Sequence, residues 1–329
     1  MRFGAFIPQG WRLDLAGIPV SEQWSTMQRV AWQAEQLGYD SIWVYDHFHT
    51  VPIPTQEPTY EAWTLMAALA TVTERVRLGQ MCTCNGYRSP TYLAKVAASI
   101  DVISNGRVEM GIGGGWYEHE YLAYGYPFPK PSVRLGELDE AVQIMRSMWA
   151  DETTTFEGEH YTVAGAICQP KPVQAASIPL WIAGGGEQLT LRTAARYADF
   201  TNFGESVENF EHKSSVLERH CEAEGRDFGE ITRSTNFNVV IGETDADVRQ
   251  KMDALSERFE SVESVDGQRT LARWFEGPGS AVGTPEAVIE KIASFKDAGM
   301  AYAIAYFPDA AYDPTSLELF AREVMPELR

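Results

Sequence analysis

Cysteine is scarce in this chain: there are four in 329 residues, Cys82, Cys84, Cys168 and Cys221. Their spacing suits neither a disulfide scaffold nor a four-ligand zinc site, and such usage fits a reducing cytoplasm. Basic residues are also few, 27 against 46 acidic, and the net charge of −19 is spread along surface helices instead of being gathered in a tail. Nucleic acid and anionic membrane are therefore not expected as partners, because both demand clustered Lys and Arg. No apolar run approaches the roughly 20 residues of a membrane span. The start, Met1 to Pro8, has neither the long apolar stretch nor the cleavage site of a signal peptide, and reads as a first strand.

What is present is a large apolar complement, 44% of residues, with aromatics along the whole length, enough for a sizeable core. Short β-branched or aromatic runs alternate with segments of helical period, the pattern of βα units and a parallel sheet. Strands are expected at Arg2 to Pro8, Ser41 to Asp46, Arg77 to Thr83, Val108 to Gly113, Pro179 to Ala183, Phe200 to Phe203, Thr235 to Ile241 and Ala301 to Phe307. Helices are expected at Ser21 to Leu37, Glu61 to Glu74, Pro90 to Ile103, Arg134 to Trp149, Glu187 to Ala198 and Val207 to Ala223. Gly38 and Gly299 close similar joints and should be left-handed helix caps. Two insertions interrupt the alternation. One, Thr153 to Val173, carries a hairpin, and the other, Glu243 to Pro285, begins as an acidic helix and reads as a cover.

Eight strands in this order indicate one (β/α)8 TIM barrel over residues 1–329, a size that such barrels reach as a single domain. A doubly wound open sheet would place a G-x-G-x-x-G turn after its first strand, where this chain has Gln9-Gly10-Trp11-Arg12. In a barrel the active site is built at the carboxyl ends of the strands, and four of these stand out. Asp46-His47-Phe48-His49 sets a carboxylate beside an imidazole, suited to proton transfer near neutral pH, although a loop histidine can also be merely exposed. Gly79 to Cys84 is most simply core, and its Cys-x-Cys pair offers two metal ligands at most. Gly111-Ile112-Gly113-Gly114-Gly115-Trp116 lets backbone approach a flat ring or a phosphate, more glycine than a tight turn needs. Ile182-Ala183-Gly184-Gly185-Gly186-Glu187 runs a strand through three glycines toward a helix, an arrangement that suits an anion. Glu118-His119-Glu120 lacks the helical spacing of a metalloprotease, and no metal site is expected.

Together, Asp46-His47-Phe48, Leu78-Gly79 through Tyr87-Arg88-Ser89-Pro90, the Asn105-Gly106-Arg107 turn, Gly111 through Gly125 and Ile182 through Gly186 resemble the bacterial luciferase-like superfamily, and within it the branch of F420-dependent oxidoreductases. The likeness covers nearly the whole chain. It implies that Asp46 and His47 sit by a deazaflavin ring, with His47 handling a proton at the substrate and Asp46 orienting it. It implies a non-prolyl cis peptide at Met81-Cys82, with Met81, Cys82 and Thr83 behind the ring. Gly114, Gly115 and His119 would line the cofactor side chain, Gly184, Gly185 and Gly186 would hold its phosphate, and Gly113 and Ala183 would also contact the cofactor.

The expected function is hydride transfer between F420 and a small organic substrate, in a homodimer as the resemblance implies, with Trp11, Phe48, Trp116 and Trp274 as candidate apolar walls. Cys82 and Cys84 depart from the aliphatic or small residues of many relatives, and no basic cluster is visible for the anionic tail of F420. FMN, in a two-component monooxygenase, is therefore the alternative, and a non-catalytic flavin-binding barrel a third.

Overall fold

The β-branched and aromatic runs form the strands of the computed structural model, in which residues 1–174 and 177–329 are described. In chain order the parallel strands are β1 (Arg2–Phe6), β2 (Ser41–Val44), β3 (Arg77–Gln80), β4 (Val108–Gly113), β5 (Leu180–Ala183), β6 (Phe200–Asn202), β7 (Thr232–Ile241) and β8 (Tyr302–Tyr306). Helices α1 (Val20–Gln36), α2 (Ala62–Val72), α3 (Pro90–Ile103), α4 (Glu118–Ala123), α5 (Pro131–Ala150), α6 (Thr190–Tyr197), α7 (Val207–Glu224), α8 (Asp245–Glu260), α9 (Gly267–Phe275) and α10 (Pro285–Asp297) lie between them. The last strand pairs with the first, Gly4 opposite Ile304, as a (β/α)8 barrel requires.

The described residues divide into two units. The first holds residues 1–61, 203–212 and 233–329. Within it β1 pairs with β2 and β8, and β7 pairs with β8, Thr235 opposite Ala303. Its core is aromatic: Phe237 meets Phe295 edge to face at 5.1 Å, and Phe307 meets Phe320 at 5.4 Å. Gly38 and Gly299 have φ of 82° and 93°, and both joints close with a Schellman bond: Tyr39 N–H donates to Ala34 O, and Met300 N–H to Phe295 O.

The second unit holds residues 62–202 and 213–232. Here β3, β4, β5 and β6 follow one another in the sheet, with Leu78 opposite Val108, Met110 opposite Leu180 and Trp181 opposite Phe200. Every residue of β4 is buried, as expected for a parallel strand covered on both faces. The Asn105-Gly106-Arg107 turn has a structural role. Arg107, 8% exposed, donates to Ser104 O, Thr73 Oγ1, Val76 O, Ala70 O and Thr73 O, answering carbonyls at the carboxyl ends of α2 and α3 and in the turn before β3.

Three expectations are corrected. Strand three stops at Gln80, and Thr83–Cys84 forms a separate short strand on β4. The helix after β5 starts at Thr190 and not at Glu187, because residues 187–189 form a turn first. The segment from Glu243 to Pro285 is more regular than expected: it contains α8, α9 and a strand, Ser280–Gly283, that pairs with β7. The Thr153 to Val173 insertion is a hairpin, Thr154–Glu157 antiparallel to Thr162–Ala166.

Candidate active site

In the first unit, Asp46 and His47 follow β2. Asp46 is buried, 1% exposed, and His47 is half-buried. Trp11, from the loop after β1, lies flat on His47 with ring centroids 4.1 Å apart and planes 3° from parallel. Stacking of this kind fixes the imidazole plane. Trp11 also meets Tyr45 at 4.3 Å, and Tyr45 stacks on Phe6 at 4.1 Å. Burial pushes the Tyr45 phenol well above its ordinary pKa, so this hydroxyl stays protonated at any working pH. Gln9 locks the two loops together: its side-chain amide donates to Tyr45 O and Tyr60 O and accepts from Tyr45 N–H.

In the second unit, the ends of β3, β4 and β5 come together. The Met81-Cys82 peptide is cis, at the position expected. A side chain at Gly113 would begin 2.8 Å from Cys82 Sγ and 3.2 Å from Ala183 O, so glycine is required for these three strand ends to close up. Gly114 is pressed by Leu135, where a Cβ would meet Cδ2 at 2.8 Å, and Gly115, at φ 73°, lies over Cys84 and Tyr121. Cys84 shares a 2.9 Å hydrogen bond with the Tyr121 hydroxyl, which raises the tyrosine pKa further beyond what burial does. The two cysteines therefore back the glycine run, one behind Gly113 and one behind Gly115. Thr83 is buried and donates to Gln80 Oε1. His119 lies exposed on α4, beside Tyr117.

The turn after β5 is open, with Gly184 and Gly186 exposed. Gly184 takes a φ of 116° and its N–H is spent on Asn202 O. Among the described residues, the Gly185 and Gly186 N–H groups donate to no backbone or side-chain acceptor. Thr190 Oγ1 lies 2.7 Å from where a Gly186 side chain would begin. The stem of Lys213, from α7, passes beside Gly185, 3.3 Å from its Cβ position, and its ammonium pairs with Glu187 at 2.6 Å. Two free amides, a hydroxyl and an ammonium on one turn form an anion-binding set. Lys213 places a cation beside this turn that was not apparent in the sequence. It stands 28 residues past Gly185 on an amphipathic helix, where its spacing is that of any surface lysine.

The residues fit a planar, phosphate-bearing group: glycines exclude side chains along the second unit's strand ends, and an anion set follows β5. Comparison with known proteins bears on this directly. The model of the luciferase-like monooxygenase family matches residues 1–302. The chain belongs to that family. Its relatives include the F420-dependent glucose-6-phosphate dehydrogenases of Kineococcus radiotolerans, 29% identical over 313 residues (90% of this chain and 91% of that one), and of Amycolatopsis mediterranei, 26% identical over 320 (90% and 92%). Solved structures of the same fold include an F420-dependent secondary alcohol dehydrogenase in complex with an F420-acetone adduct, with a TM-score of 0.77, 21% identity and coverage of 100% of this chain and 99% of that one. A monooxygenase from Streptomyces bottropensis superposes with a TM-score of 0.82 at 21% identity, with both chains fully covered. This luciferase-like chain is an oxidoreductase. Among its described residues no helix is long and apolar enough to cross a membrane, and no group of three His, Cys, Asp or Glu is arranged to hold a metal ion.

Proposed function

We propose that the chain is an F420-dependent oxidoreductase acting on a small organic substrate. The observation that carries this reading is the turn after β5, where unengaged Gly185 and Gly186 amides meet Thr190 and Lys213, supported by relatives that are themselves named F420-dependent dehydrogenases. When bound, F420 supplies two-electron chemistry at its C5 and leaves the accompanying proton to the protein. The glycines Gly113 to Gly115 keep side chains out of the space of the ring and its chain, with Met81, Cys82 and Thr83 behind. Ala183 to Gly186 and Lys213 hold the phosphate. His47 takes or gives the proton, its plane set by Trp11, and the buried Asp46 orients it. Trp11, Phe48 and Trp274 exclude water from the reacting atoms.

The test is His47→Ala. General acid–base catalysis contributes about 10²- to 10⁴-fold, so kcat should fall by that range while F420 affinity, read by fluorescence quenching, stays that of the parent. Full turnover in the variant would remove His47 from the mechanism. Loss of F420 binding would make it a cofactor contact instead.

A further inference from the structure

Arg12 follows β1 and is 8% exposed, so its guanidinium is largely removed from water. Its carbon sits 4.5 Å from the centroid of the Trp274 ring and 4.3 Å from that of Tyr306, the last residue of β8. Nη1 donates to Asn238 Oδ1 at 2.6 Å, and Asn238 is itself held by donating through Nδ2 to Trp274 O. The Tyr45 phenol lies close enough for the guanidinium to oppose the effect of burial on it. Of five N–H donors, then, Asn238 answers one. No carboxylate forms an ion pair with Arg12 among the described residues. Asp14, which acts on it at longer range, accepts instead from the Gly10 and Gln9 amides at 2.6 and 3.3 Å.

A desolvated cation with no counter-ion is costly, and two aromatic faces recover only part of that cost. Its neighbours share the same deficit. Trp11 Nε1 and the Tyr306 hydroxyl are buried with no hydrogen-bond partner, and Trp11 is the ring stacked on His47. Guanidinium, indole and phenol are all donors in want of an acceptor, grouped at the carboxyl ends of β1 and β8. A ligand rich in acceptors and negatively charged answers all three.

We propose that Arg12 is a substrate-recognition residue, and that it selects substrates carrying an anionic oxygen group, a carboxylate or a phosphate. The proposal takes its reaction from the oxidoreductase reading above, but the binding it describes can be measured without any cofactor. Trp11 and Trp274 flank Arg12, so tryptophan fluorescence reports on the site directly.

The experiment titrates the cofactor-free protein with butyrate, butyl phosphate and butanol. Saturable quenching by butyrate or butyl phosphate, with none by butanol, is expected, and whichever anion binds more tightly identifies the group. Arg12→Met should weaken that anion by about tenfold to a hundredfold, with Arg12→Lys in between. Anionic and neutral probes binding alike, or Arg12→Met binding the anion as the parent does, would overturn the proposal and leave Arg12 as a packing clamp. The wild-type selectivity stands as a test even if Arg12→Met fails to fold. F420 titration of the same samples separates the two readings: anion selectivity without F420 binding refutes the cofactor alone, and F420 binding without anion selectivity refutes this proposal alone.

Discussion

Removing the Lys213 ammonium should weaken cofactor binding by an amount that the structure bounds. The charge lies beside a turn whose Gly185 and Gly186 amides have no other acceptor, and a phosphate there gains one charge-assisted hydrogen bond from it. Such a bond contributes about 1.5–3 kcal/mol, which corresponds to roughly 10- to 150-fold in Kd. The Coulomb limit for unit charges about 4 Å apart near a protein surface, roughly 4 kcal/mol, lies above this range. The 2.6 Å pair with Glu187, whose side chain is 45% exposed, pulls the value toward its lower end. Lys213→Met should therefore raise the F420 Kd at least about tenfold and flatten its dependence on salt. Glu187→Gln should move affinity the other way, because it frees the ammonium and removes an anion from the phosphate's surroundings. Fluorescence quenching of F420 at two ionic strengths measures both. If Lys213→Met binds within twofold of the parent, the phosphate is not held at this turn.

Gly113→Ala forces a methyl to 2.8 Å from Cys82 Sγ and should cost about 1–3 kcal/mol of stability in urea denaturation. Adding Cys82→Ala should recover part of that loss, and strict additivity in the double-mutant cycle would show that the sulfur contact is not the cause. Arg107→Met removes the donor for carbonyls of Ser104, Thr73, Val76 and Ala70, and should destabilise the chain by about 3–5 kcal/mol. Arg107→Lys should rescue little, because an ammonium cannot span that fork; a rescue to parental stability in the same urea assay would refute this account of the turn.

The barrel was legible because each joint carries its own chemistry. Pro90 opens α3 and the Asn105-Gly106 turn closes the way into β4, and both elements fall on the expected residues, Pro90–Ile103 and Val108–Gly113. Gly38 and Gly299 take the left-handed conformation for which glycine was chosen. Failures came where tertiary contacts outweigh local preference. Ser280–Gly283 is too short and glycine-flanked to signal a strand, and it exists because β7 offers it an edge. Glu187-Gln188-Leu189 favours helix, yet the helix waits for Thr190, since the backbone leaves Gly184 at φ 116° and Leu191 N–H donates back to Gly186 O. In the site, the glycine runs were visible because only backbone can make those approaches. The neighbours of Lys213 at Gly185 and of Arg12 at Trp274 were not, because a single basic residue declares nothing until its surroundings in space are known.

The cofactor reading turns on a preference for F420 over FMN, which the F420-dependent relatives support. Parallel titrations of the purified chain with F420 and FMN, under identical buffer and salt, address it most directly. Saturable F420 binding at micromolar or tighter Kd is expected, with FMN at least about tenfold weaker, a difference of roughly 1.4 kcal/mol. Tighter binding of FMN would contradict it.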